Sequence, residues 1–349
     1  MKASYRKHIL RFKRASGTSR GVLHEKETWF ILLNDDNTGK TGIGECGILR
    51  SLSVDDREDY EDQLRWACEN IHLGTDGLCA ALKEFPSIQF GIEQAFLSLR
   101  SSSPFLLYPS AFTGKKAPIA INGLVWMGDR EFMAQQIREK LAQGFDCIKM
   151  KIGAIDFETE LGLLGAIRKE FSASDIEIRV DANGAFTAGN ALEKLQRLSE
   201  LRLHSIEQPV KQGQWELMAG LCEKSPLPIA LDEELIGIFG IPEKQQLLQA
   251  INPQYIILKP SLVGGYRGSE EWIRLADKQK TGWWITSALE SNVGLNAIAQ
   301  WTYKLNNPMP QGLGTGSLYT NNIISPLEVS GGTLRYNNEN QWDLTVLKN

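Results

Sequence analysis

The chain has 349 residues, 42% of them hydrophobic and 23% charged, with a net charge of −4. This is the balance of a globular protein with a sizeable core, and the interspersed charges exclude both a basic nucleic-acid footprint and a polybasic membrane patch. Five cysteines (Cys46, Cys68, Cys79, Cys147, Cys222) form no close pair, which excludes a disulfide framework and argues for free thiols in a reducing cytoplasm. No apolar run approaches the ~18 residues of a membrane span, so a cytoplasmic protein with no membrane partner is expected.

The first fifty residues alternate in the manner of antiparallel strands, with candidates at 4–12, 28–34 and 41–47. Asp35-Asp36-Asn37-Thr38-Gly39 reads as a turn, and the polar, glycine-containing stretch 14–21 reads as a loop between the first two strands. From Asp55 onward the periodicity is helical, through 60–71 and 87–101. Strands followed by helices describe an α+β unit over residues 1–115.

After Pro118 short apolar runs alternate with amphipathic stretches. Candidate strands lie at 118–125, 146–153, 177–183, 204–209, 228–233, 255–260, 283–287 and 311–314, with helical segments between them. A period of roughly 25–30 residues suits βα units of a parallel sheet and is longer than most solenoid repeats. Eight such units over residues 116–320 predict an α/β fold of the (β/α)8, TIM-like type. A doubly wound open sheet is disfavoured, because no Gly-x-Gly-x-x-Gly turn follows the first strand. In the tail, Ser330-Gly331-Gly332-Thr333 is a turn between two short strands, and residues 321–349 are expected to pack back against the N-terminal unit.

The strand ends carry the chemistry, since a parallel barrel builds its active site where its strands end. The second strand ends Lys149-Met150-Lys151, and side-chain alternation puts both lysines on one face. Two ammonium groups there are costly without anions nearby. The next three strands supply them, in Asp181, Glu207 and Asp232. One such acid would more often cap the following helix, but three on consecutive strands form a set. Three hard carboxylates without His or Cys suit Mg2+, with Mn2+ as a substitute, and do not suit zinc. The sixth strand ends in Lys259, which a barrel places across from Lys151 with the cation site between them. That arrangement suits removal of a proton α to a carboxylate by a lysine base, with Lys149 lowering the pKa of its neighbour. His8, His24, His72 and His204 fall away from the predicted rim, which argues against a histidine base.

The set Lys149-x-Lys151, Asp181-Ala182-Asn183, Glu207-Gln208-Pro209, Asp232-Glu233 and Lys259-Pro260 resembles the enolase superfamily, in its muconate-lactonizing subgroup. Gly42-Ile43-Gly44-Glu45 and Ile92-Glu93-Gln94-Ala95 resemble its N-terminal capping domain, so the likeness covers nearly the full chain. Within the subgroup, the run from Thr286 to Ser291 and Gly312-Leu313-Gly314-Thr315-Gly316 look like the o-succinylbenzoate synthase family. The resemblance implies a syn elimination of water from a cyclohexadiene carboxylate, by way of an enediolate, in menaquinone synthesis. It implies Mg2+ on Asp181, Glu207 and Asp232, Lys151 as base, Lys259 as the opposing cation, and Asn183 and Glu233 as supporting residues. It further implies substrate contacts from Thr18, Ser19 and Arg20 on a closing loop, from Arg179, and from Ser287, Gly314 and Thr315. Racemases and epimerases share the lysine pair, but such epimerases carry an Asp-x-Asp on the eighth strand, where this chain has Gly314-Thr315-Gly316.

Overall fold

Alternation in the N-terminal segment produces an antiparallel sheet of β1 (Lys2–Thr18), β2 (Gly21–Asp35) and β3 (Lys40–Gly47), in that order. Trp29, Ile31 and Leu33 of β2 face the helices Tyr60–Glu69 and Pro86–Arg100, while Phe30 and Ile43 face the other way, onto Phe105, Val293 and Ile323. Both faces of the sheet are therefore covered, one by its own helices and one by the second half of the chain. The computed structural model describes residues 1–18 and 21–345, with backbone alone for 16–18.

The motif Gly42-Ile43-Gly44-Glu45 has a packing reason. A Cβ on Gly42 would lie 2.2 Å from the Ala95 carbonyl oxygen, and one on Gly44 only 1.8 Å from that of Gly91. The two glycines let β3 lie directly on the backbone of helix Pro86–Arg100.

The expected loop at 14–21 is corrected over 14–18 and at Gly21, while residues 19 and 20 lie outside the described ones. β1 runs on to Thr18 and pairs with β2 again through Ser16↔Leu23, Gly17↔Val22 and Thr18↔Gly21. Between Arg11 and Ser16 the register shifts, and there β1 bonds instead to a segment from the far end of the chain. Lys13 N donates to Leu318 O (2.8 Å) and Thr320 N donates to Arg11 O (2.9 Å). Those partners satisfy the backbone of a stretch whose composition reads as loop, and nothing in local sequence announces them.

Seven strands form the parallel sheet: β5 (Gly123–Val125), β6 (Cys147–Lys151), β7 (Glu177–Asp181), β8 (Ser205–Glu207), β9 (Ile229–Leu231), β10 (Tyr255–Leu258) and β11 (Gly282–Ile285), each hydrogen-bonded to the next. The predicted first strand is split. Its opening residues form β4 (Ile119–Ala120) in another sheet, and only its second half enters the parallel one. The predicted eighth strand shrinks to two bridges, Ile121↔Gln311 and Thr286↔Gly312. These join both edges of the sheet and close the ring. Ile148, Met150, Val180, Ile206 and Leu258 point outward into one large apolar cluster shared with the surrounding helices.

The tail hairpin, β12 (Leu327–Ser330) with β13 (Thr333–Tyr336), adds to β4 through Thr333↔Ala120 and Leu334↔Ile119. It therefore extends the entrance strand of the barrel, not the N-terminal sheet. Beyond it Trp342 stacks on Phe105 at 4.0 Å, and Leu344 packs with the cluster that contains Phe30. No helix among the described residues is long and apolar enough to cross a membrane.

Helix Pro86–Arg100 ties the two halves together through polar groups. Gln94 accepts from Glu45 N (3.0 Å) and donates to Val293 O (3.1 Å). Glu93 accepts from Tyr266 N (2.6 Å) and Arg267 N (3.3 Å), at the start of helix Gly265–Gln279. Burial pushes the Glu93 carboxyl from an ordinary 4.5 up to about 7. A folded-state pKa above the unfolded one contributes stability that is fully present below pH ~4.5 and is lost as the pH rises through about 7. Glu93→Gln is expected to flatten this decline. Urea midpoints of both proteins across that window check it, and an unchanged slope would contradict it.

Candidate active site

Alternation along β6 turns Lys149 and Lys151 into the barrel and Met150 out into the core. In register with them, β7 carries Asp181 beside Lys151, and β8 carries Glu207 beside Asp181. Asp232 follows β9, and Lys259 follows β10. Lys151 Nζ lies 2.9 Å from Asp181 Oδ2 and 2.7 Å from Asn183 Oδ1. Lys149 Nζ is 3.1 Å from Asp181 Oδ2 and also donates to Glu207 Oε2. Lys259 donates to Asp232 Oδ2 and sits 3.9 Å from Glu207 Oε1. The sequence-predicted lysines and carboxylates are thus brought together in one largely buried cluster, with Lys149 one layer below Lys151 and Asp181. β6 and β10 are separated by β7, β8 and β9, so in a ring closed by the 311–312 segment Lys151 and Lys259 stand on opposite walls.

Asn183 and Glu233 continue the layer. Asn183 Nδ2 donates to Glu233 Oε1 (3.0 Å), so a chain of bonds runs from Lys151 through Asn183 to Glu233, whose charge acts in turn on Lys259. Directly after Glu207, Gln208, with no exposed surface, clamps the strand ends: its Oε1 accepts from Asp232 N (3.2 Å) and Glu234 N (3.3 Å). Gln208 and Asn183 both have positive φ, at 41° and 44°. Non-glycine residues hold this conformation only where their surroundings impose it.

The electrostatics are those of a balanced cluster. Burial alone would strip Lys149 of its proton, but Asp181, Glu207 and Asp232 hold its pKa above the ordinary lysine range. Burial likewise opposes charge on Asp181, yet Lys149, Lys151 and Lys259 keep it ionised well below the usual range. On Glu207 burial wins, reinforced by repulsion from Asp181, and its carboxyl is pushed well up. Among the described residues no group of three acids is placed as it stands to hold a metal ion, and Asp181, Glu207 and Asp232 are each paired with a lysine instead. The donor set nonetheless fits a hard divalent cation. It is all oxygen, it is buried, and Glu207 Oε1 has no hydrogen-bond partner.

A cavity of about 760 Å3 opens onto this layer. Lys149, Lys151, Asp181, Asn183 and Lys259 line it, as do Ser287, Gly314 and Thr315. Ser287 Oγ and Thr315 Oγ1 lie 2.6 Å apart on its wall. Arg179 does not join them. It is turned inward as expected but lies one layer lower, in register with Lys149 and Ser205. There its guanidinium bonds Glu177 (2.6 Å) and the Pro310 carbonyl (2.9 Å) and stacks on Trp284, so two acceptors and a ring hold it at the opposite end of the barrel. Ser19, Arg20 and the side chain of Thr18 lie outside the described residues. Sequence reasoning missed the apolar wall of Leu49, Leu52, Trp126, Phe132 and Leu289, with the Trp126 ring 5.9 Å from Lys151 Nζ. One signal was available, since Trp126 directly follows Val125 at the end of a barrel strand.

A family model described as "Enolase C-terminal domain-like" matches residues 132–339. An o-succinylbenzoate synthase of Desulfotalea psychrophila is 47% identical over 96% of this chain and 98% of its own length. A crystal structure of MenC from Desulfotalea psychrophila superposes with a TM-score of 0.85 at 44% identity, covering 96% of this chain and 99% of that one. A muconate lactonizing enzyme from Pseudomonas fluorescens, complexed with muconolactone, shares the fold at a TM-score of 0.83 and 20% identity, covering 99% and 97% of the two chains.

Proposed function

The chain belongs to the o-succinylbenzoate synthase family of the enolase superfamily, and on that premise we propose that it dehydrates 2-succinyl-6-hydroxy-2,4-cyclohexadiene-1-carboxylate to o-succinylbenzoate. The family places that step in menaquinone synthesis. The observation that carries the reading is the pair of opposed lysines, Lys151 and Lys259, on the wall of one cavity with three carboxylates between them.

Lys151 is the base. Asp181 and Asn183 accept its hydrogen bonds and fix its ammonium nitrogen at the cavity surface, next to the ring of Trp126. It takes the α-proton as the Cα–H bond breaks. The C–O bond to the ring hydroxyl then breaks, and the proton on Lys151 passes to the departing oxygen as water leaves from the same face. The ring becomes aromatic, and no oxidant or reductant is consumed. Lys259 remains cationic, because the pull of Asp232 and Glu207 outweighs the burial that disfavours its charge. It offsets the negative charge that develops on the substrate carboxylate. Asp181, Glu207 and Asp232 would hold Mg2+, or Mn2+ in its place, which when bound supplies Lewis-acid polarisation of that carboxylate and lowers the proton affinity of the nearby lysines. Ser287 and Thr315 offer hydroxyls, and Leu49, Leu52 and Phe132 an apolar surface, to the rest of the substrate. The free cysteines, most of them buried, are in keeping with a reducing cytoplasm.

Product binding tests the substrate class. o-Succinylbenzoate added with Mg2+ is expected to quench the fluorescence of Trp126, and Trp126→Phe to lose that quench while still binding product by calorimetry. Binding of N-succinylamino acids but not of o-succinylbenzoate would turn the reading toward a racemase.

A further inference from the structure

Leu289 differs from the rest of the cavity wall in its backbone, which is left-handed, with φ 61°. A residue with a Cβ holds that conformation only where its surroundings impose it. The segment around it is pinned on both sides. Before it, Ser287 N donates to Gly312 O (3.0 Å). After it, Ser291 N and Oγ donate to the Glu45 carboxylate of β3, at 2.8 and 2.5 Å. The Leu289 carbonyl itself accepts from Tyr319 Oη (2.6 Å).

Tyr319 is placed in turn by the N-terminal sheet. It forms an antiparallel bridge with Phe12 of β1, and the two rings lie 4.7 Å apart. The chain on either side is zipped to the same strand, by Lys13 N on Leu318 O and Thr320 N on Arg11 O. Asn321 adds two more bonds, accepting from Arg11 N (2.8 Å) and donating to Ile9 O (2.7 Å). Tyr319 is only 3% exposed, and burial holds its phenol well above the ordinary range, so the hydroxyl keeps its proton and donates.

Leu10, Phe12, Trp126, Leu289 and Tyr319 form one apolar cluster that reaches from the sheet to the cavity. Trp126 has a tie of its own, since its backbone N and O bond the Gln136 amide at 2.9 and 3.0 Å. The reacting groups are also fixed elsewhere, Lys151 by Asp181 and Asn183 and Lys259 by Asp232. We propose that Tyr319 is a positioning residue that sets substrate fit: with its ring on Phe12 and its hydroxyl on the Leu289 carbonyl, it holds Leu289 in the left-handed turn that makes it part of the cavity wall, and so registers that wall against the N-terminal sheet. The proposal rests on the dehydratase reading for its effect on substrate but not for its effect on the structure.

The two are tested separately with Tyr319→Phe, which deletes the hydroxyl and keeps the ring. Without substrate, amide hydrogen exchange is expected to rise in residues 288–291 and to stay as in the parent protein in 147–151. Unchanged exchange in 288–291 would overturn the link whatever the enzyme does. With the cyclohexadiene substrate, KM is expected to rise roughly threefold to tenfold, the worth of one hydrogen bond, with kcat within about twofold, because contacts with the wall are made alike in the ground and transition states. Parent KM, whether or not the melting temperature falls, would leave Tyr319 a packing residue and overturn the proposal. A double variant asks whether it acts through Leu289. In a Leu289→Ala background, the further change Tyr319→Phe is expected to leave KM where Leu289→Ala put it. A second rise by the same factor would place the effect elsewhere and equally overturn the proposal. A parent protein without dehydratase activity would fail the functional reading while leaving the exchange result to stand or fall by itself.

Discussion

Lys151→Ala is expected to lower kcat for dehydration by at least about 10⁴-fold, since one side chain takes the proton and then returns it to the departing oxygen, and each acid–base role contributes ~10²–10⁴. The fold should survive. Asp181, the carboxylate that Lys151 contacts, keeps a second ammonium in Lys149 at 3.1 Å and the backbone bond from Asn183 N. Lys151 also lies at the end of β6, beyond Met150 and Ile148, which anchor that strand in the core. The check is turnover alongside circular dichroism and melting temperature. Activity within tenfold of the parent, in a folded protein, would remove Lys151 from the chemistry.

Glu207→Gln is expected to weaken Mg2+ binding and lower turnover by roughly a thousandfold, the scale of several kcal/mol of charge stabilisation. Glu207 stands between its neighbours in sheet order, with Asp181 on β7 to one side and Asp232 after β9 to the other. Its Oε2 takes the Lys149 ammonium, and its Oε1 is the buried oxygen left without a hydrogen bond. The amide keeps the shape and removes the charge. Lys149 and Lys259 then share one carboxylate fewer, so melting temperature should fall as well. Calorimetric titration with Mg2+ in the absence of substrate separates the two effects. Parent-like Mg2+ affinity in the variant would show that the cation is held elsewhere.

How much of this was legible in the sequence follows from the range of the interactions. The lysine alternation at 149 and 151, the acids on three consecutive strands and the lysine after the sixth are local features, and the parallel order of β6 to β10 brings them together with no further information. What was missed depended on partners distant in sequence. β1 outran its expected end because Leu318 and Thr320 satisfy its backbone, and the strand expected at 118–125 was divided because the tail strand β13 claims its first half. Arg179 shows the limit of alternation: period two gave its face correctly, but Glu177, Trp284 and Pro310 decide which end of the barrel it serves. Gln208 stood in plain view beside Glu207, yet its clamp on Asp232 N and Glu234 N exists only once β8 and β9 are adjacent.

The most direct test is the reaction itself. Purified protein supplied with Mg2+ and the hydroxycyclohexadiene dicarboxylate is expected to convert it completely to o-succinylbenzoate, read as the rise in aromatic absorbance, with no rise from the Lys151→Ala protein under the same conditions. A flat trace from the parent protein, together with exchange of solvent deuterium into the α-position of an N-succinylamino acid, would contradict the account and assign the same lysine pair to racemisation.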